Sequence, residues 1–171
     1  LEAKVIFEKI RDRIKLPPKT HVNKAPFRGI LAIVDAPSDK SPSGARGHKV
    51  VLTKKAAEAA LDSLIGMGID YRPSWDGHNA QHKIGIIDSA VIRGSELIIS
   101  GYLFKRDIPG VITQLQASSE YGMSYELADA RVEDMREQIW RLTRVTFTGA
   151  AILRKDKAAY RMTNFSLLEE A

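Results

Sequence analysis

Short runs of branched apolar residues, broken by glycine, proline and charge, dominate this chain, and stripes of helical period are few. Residues 27–34 (FRGILAIV) form the first such run and predict a core strand. The Pro/Gly/Ser-rich stretch that follows, DAPSDKSPSGARG, predicts a loop. Thr53 then stands before KKAAEAALDSLIGMG, where Ala56, Ala60, Leu61 and Leu64 make one helical stripe. That pattern predicts a helix with Thr53 as N-cap and Gly66 or Gly68 closing it. After the loop YRPSWDGHNAQH, the isoleucine-rich runs KIGIIDSAVI and ELIISGYLF flank Arg93-Gly94-Ser95 and predict a hairpin. A second helix is expected from Asp107-Ile108-Pro109 to about Ser118, with the proline in its first turn. A strand around Ser124, a charged turn RVEDMREQ and a long strand IWRLTRVTFTGAAIL complete the order. Strands that meet through hairpins, with few helices between them, predict an α+β, mainly β fold: an antiparallel sheet or barrel with peripheral helices.

Both ends fall outside this pattern. Residues 1–14 have apolar positions at Val5, Ile6, Ile10 and Ile14, the spacing of a helix that stops before Pro17 and Pro18. The expected organisation is therefore an N-terminal helix or arm and linker over 1–26, a domain over 27–160 and a C-terminal tail over 161–171.

The 44% apolar content supports a real core. No apolar run approaches the roughly 20 residues of a membrane span, and the charged N-terminus lacks the apolar centre of a secretory signal. The expectation is a soluble, cytoplasmic protein with no membrane partner. There is no cysteine, so any nucleophile is an oxygen or an amine, and thiolate metal sites are excluded. The net charge of +5 is spread among 21 acidic residues without a basic block, which argues against nucleic acid as a partner.

Candidate chemistry reduces to four histidines: His21, His48, His78 and His82. His78 and His82 have the separation of two zinc ligands on one helical face. Pro73, Gly77 and the following β run oppose a helix there, and no glutamate follows the first histidine, so no metal is expected. His78 gains interest from Ser124, which lies in EYGMSYEL on another expected strand. Serine is a feeble nucleophile until an adjacent imidazole takes its proton, and the hairpin between the two could bring them together.

Several segments taken together resemble the prohead (capsid-maturation) serine proteases of tailed phages and prophages, which are related to the herpesvirus assembly proteases. DGHNAQHKIGII is similar to that family's histidine motif before an Ile-Gly strand, with His78 ahead of Gly85. RGSELIISGYLF resembles its following hairpin, Gly122-Met123-Ser124-Tyr125 its nucleophile motif, and RVTFTGAAIL its closing strand. The resemblance runs from about Ile30 to Tyr160 and implies a herpesvirus-protease-like antiparallel barrel, with Ser124 as nucleophile and His78 as base.

The same resemblance implies a serine endopeptidase without cofactor. Its substrates would be phage scaffold and major capsid protein, and it would act inside the procapsid in the bacterial host cytoplasm, with a tendency to self-associate. Many relatives carry a glutamate at the start of the closing strand, where this chain has Arg141. A cation there cannot hold an imidazolium, so the third member is sought among Glu126, Asp129, Glu137 and His48. Arg141 and Arg144 are candidates for oxyanion support, against the simpler account of solvated strand residues. The alternative function is a catalytically decayed scaffold or capsid assembly module.

Overall fold

The computed structural model describes residues 21–168, and the helix expected over 1–14 lies outside them. Eight strands form one curled sheet: β1 (Lys24–Ile33), β2 (Lys49–Leu52), β3 (Gly68–Tyr71), β4 (Lys83–Arg93), β5 (Glu96–Phe104), β6 (Tyr121–Val132), β7 (Ile139–Arg154) and β8 (Asn164–Leu167). Among the described residues two short helices accompany it, α1 (Lys54–Ala60) and α2 (Pro109–Ala117). The fold is mainly β, as the alternation of apolar runs predicts. Among the described residues no helix is long and apolar enough to cross a membrane.

The hairpin of β4 and β5 turns through Gly94 and Ser95, with Gly94 at φ +60°, a conformation that favours glycine at the first turn position. β1 adds antiparallel to β5, and β8 adds antiparallel to β1. On the other side of the hairpin β3 pairs with β4, and β7 with β3. β7 is flanked on one edge by β6, antiparallel, and on the other by β2 and β3, both parallel to it. The sheet is thus mixed rather than purely antiparallel, because α1 and its following turn carry the chain across between β2 and β3.

The sheet curls until β6 packs on β1 and β8. At this seam Met123 N–H donates to Thr163 Oγ1 at 3.1 Å, and Gly29 leaves no room for a Cβ beneath Met123 Sδ and Asn164 O. Inside the curl lie fully buried Phe27, Leu31, Ile87, Leu103, Phe147 and Ile152.

α1 is shorter than its sequence stripe. Thr53 caps it by accepting from Ala56 N–H at 3.2 Å, but the helix ends at Ala60 and tightens into a 3₁₀ turn over Leu61–Leu64. Ser63 Oγ in that turn accepts from Phe147 N–H at 2.9 Å. The Pro/Gly/Ser-rich loop is pinned down: Ser38 is buried and exchanges bonds with Val50, its N–H donating to Val50 O at 2.8 Å and its Oγ accepting from Val50 N–H at 3.0 Å. Residues 164–167, expected as part of a tail, are strand β8, and Phe165 stacks on Phe27 with ring centroids 5.1 Å apart.

Gly101 sits mid-sheet on β5, paired with Phe27 on one side and Ile87 on the other. A Cβ there would overlap the Ile86 carbonyl oxygen, a backbone atom that cannot swing aside. Gly101→Ala should therefore lower stability by about 3 kcal/mol or more. Urea titration checks this, and a midpoint equal to the parent's would contradict the packing.

Candidate active site

Ser124 and Glu126 project from β6 two residues apart, so the strand period places both on one face. Their ladder partners on β7 are Ala151 and Gly149, and the ladder shifts register directly after Glu126. Both side chains are half-buried.

His78 comes from the loop between β3 and β4. Trp75 anchors that loop with a buried indole whose Nε1–H donates to Gln114 Oε1 at 2.8 Å and whose ring packs on Tyr71 and Tyr121. Beside His78, the Asn79 N–H donates to Asp70 Oδ1 at 2.9 Å. The imidazole Nδ1 lies 3.2 Å from Glu126 Oε1. Lys83 Nζ donates to the other oxygen of Glu126 at 3.0 Å and to Asp70 Oδ2 at 2.9 Å. Asp70, Lys83, Glu126 and His78 therefore form one connected chain of charge, closed back onto Asp70 through Asn79.

His78, Ser124 and Glu126 open into one cleft of about 730 Å³, walled by Ala45 and Arg46 of the pinned loop and by Met135 and Trp140. Among the described residues the Ser124 hydroxyl makes no hydrogen bond, to His78 or to any other group. The cleft holds the nucleophile candidate and the imidazole together without joining them.

Burial sets the charges. Asp70 is 0% exposed, and its pKa is raised to about 6, first by desolvation and then by the neighbouring Glu126 carboxylate, against the opposing bonds from Asn79 and Lys83. Glu126 goes the other way. Burial pushes it up, but bonds from His78, Asp70 and Lys83 outweigh this and hold it at about 2. Burial pulls the Lys83 ammonium down, and its two carboxylates more than compensate, so its pKa is raised. Asp70, His78 and Glu126 also bring three potential ligand atoms within 4.8 Å of one another. Lys83 Nζ already stands between the two carboxylates as their cation.

The other candidates lie elsewhere. Arg141 pairs with Glu133 at 3.3 Å and lines a separate hollow with Asp35, Thr53 and Lys54. Arg144 is exposed on β7 opposite Arg131. Neither lines the cleft of Ser124 and His78, so neither charge faces it. His48 stacks on Trp140 at 4.2 Å with Nδ1 3.0 Å from Gln138 O, and His82 packs on Tyr71 at 4.9 Å. Asp129 and Glu137 are exposed and also lie outside the cleft lining. Of the four candidates for the third member, Glu126 is the one that touches His78. Asp70 and Lys83 were not singled out by sequence. The available signal was an aspartate inside the short apolar segment GIDY.

Asp70 and Glu126 pull stability in opposite directions with pH. The contribution of Asp70 is present below its ordinary value of 3.8 and is lost as pH rises through about 6. That of Glu126 is present above 4.5 and lost as pH falls towards about 2. Asp70→Asn removes the first effect and, by taking a partner from Glu126, weakens the second. Between pH about 4 and about 7 the parent should lose more stability than this variant, measured by urea midpoints; equal slopes would show that Asp70 is not raised.

No protein-family model matches this chain, and no curated protein does. Among solved structures, the chain is similar to the capsid assembly protease of bacteriophage T4, with a TM-score of 0.47 and 11% identity, over 75% of this chain and 97% of that one.

Proposed function

We propose that this protein is a serine endopeptidase of the phage prohead type, related to the herpesvirus assembly proteases and built on a barrel like theirs. The observation that carries this reading is the His78 Nδ1 contact with Glu126 Oε1 in the same cleft as Ser124. A carboxylate on Nδ1 holds the ring with its proton on that nitrogen, which leaves Nε2 free to accept from a serine hydroxyl. Ser124 Oγ attacks the peptide carbonyl while His78 takes its proton. The tetrahedral intermediate collapses to an acyl-enzyme as His78 returns that proton to the leaving amine, and water then hydrolyses the ester. Glu126 takes the place of the glutamate that the resembling family carries where this chain has Arg141.

The open cleft suits an extended, flexible segment of a protein substrate. Scaffold and major capsid protein inside the procapsid are the substrates and the setting we propose, with self-association supplying high local concentration. The unbridged gap between Ser124 and His78 fits an enzyme whose catalytic hydrogen bond tightens once a substrate or substrate-like electrophile occupies the cleft. The same gap also supports a second reading, a decayed scaffold or capsid assembly module.

Exposure to a fluorophosphonate probe separates the two. The parent should gain one adduct by intact mass, Ser124→Ala none, and Glu126→Gln should label on the order of 100-fold more slowly as the ring loses its orientation. A folded parent that gains no adduct at high concentration would sink the peptidase reading in favour of the assembly module.

A further inference from the structure

Glu126 is a flexible side chain on a strand edge, yet its two oxygens are committed to two different partners. One faces His78, and the other is held by Lys83. Lys83 reaches it from β4 by lying across the backbone of β3 and β7, and two glycines clear its path. A Cβ on Gly68 would stand 2.6 Å from Lys83 Cδ and 3.2 Å from Cε. A Cβ on Gly149 would stand 2.8 Å from Lys83 Nζ and 2.6 Å from Glu126 Oε2. Any other residue at either position would meet the lysine stem or the ion pair. The fully buried Asp70 fixes the far side of the ammonium and, through Asn79, the loop that carries His78.

We propose that Lys83, anchored by Asp70 and threaded over Gly68 and Gly149, is a positioning residue that turns Glu126 so that one oxygen faces His78. This rests on the serine-peptidase reading for its consequence in catalysis, but not for its geometry. Lys83 touches no reacting atom. Without it the Glu126 carboxylate is free to rotate and is drawn towards solvent, and His78 loses its fixed partner.

The absence of native cysteine makes a clean test available. Lys83→Cys is alkylated in denaturant with 2-bromoethylamine, which rebuilds a lysine-like ammonium, or with iodoacetamide, which gives a neutral chain of similar reach, and is then refolded. Fluorophosphonate labelling of Ser124 should fall on the order of 100-fold in Lys83→Cys, recover with the ammonium and stay low with the amide. Labelling at the parental rate in Lys83→Cys, or a loss that the ammonium does not repair, would overturn the proposal.

The second readout does not need a reactive serine. Imidazole nitrogen NMR of the parent with a neutral His78 ring should show the tautomer with the proton on Nδ1, and Lys83→Met, which keeps the apolar stem, should show a mixture of tautomers. If Ser124 of the parent never labels, the peptidase reading fails while the nitrogen spectra still decide the role of Lys83. An unchanged Nδ1–H tautomer in folded Lys83→Met would refute it.

Discussion

A strand has two edges, and in this protein β7 must share one of them. Its 16 residues give one edge to β6, while the other is divided between β2 at its start and β3 near its end. On that edge the stretch between has no strand beside it. Thr53 closes the β2 pairing, its N–H and Oγ1 both donating to Leu142 O at 3.3 and 2.9 Å, and beyond it Ser63 Oγ accepts from Phe147 N–H. A buried backbone group left without these partners would cost about 1–3 kcal/mol, so α1 and its turn are held where they satisfy β7. The candidate site follows from this sharing. With β6 and β3 on opposite sides of β7, Glu126 and Asp70 are separated by one strand, and Gly149 leaves that strand bare between them.

Across that bare position the charges are coupled. Asp70 is completely buried, and a carboxylate there is tolerated only if paired and hydrogen-bonded. Lys83 supplies the charge and Asn79 N–H the further bond. The need to satisfy one buried acid therefore fixes both the lysine that reaches Glu126 and the loop that presents His78. The positions of the imidazole and of its carboxylate are not independent, which is what orientation to within a fraction of an ångström requires.

Much of this was legible in the chain, and what was not has physical causes. The hairpin, α2, β6 and β7 stand out because each is long enough to show a period or is bounded by glycine and proline. β2, β3 and β8 have four residues each, too few for alternation to register, and their pairing is decided by strands far away in sequence. The stripe of α1 runs on past Ala60 because Leu61 and Leu64 still face the core, but through a tighter turn. His78 and Ser124 are candidates from motif and spacing, while Glu126 is one of four residues among which sequence leaves the third member open. Asp70 and Lys83 could not be named, since their meeting depends on β3 pairing with β4 in a register that slips between Ile69 and Asp70. Arg141 was conspicuous only by comparison with a glutamate expected there, and its charge is taken up by Glu133.

The cation in this cluster raises a question of balance for the proposed mechanism, because an ammonium beside Glu126 opposes the charge that an imidazolium would need. The geometry resolves it. Lys83 and His78 use different oxygens of Glu126, so they do not compete for one lone pair. With Asp70 ionised, the two carboxylates and the single ammonium leave one net negative charge to face the ring. With Asp70 protonated, below about 6, that net charge vanishes. Asp70 thus has two roles that a neutral residue of the same shape could not combine: it anchors the lysine, and it restores the negative charge that the lysine takes away.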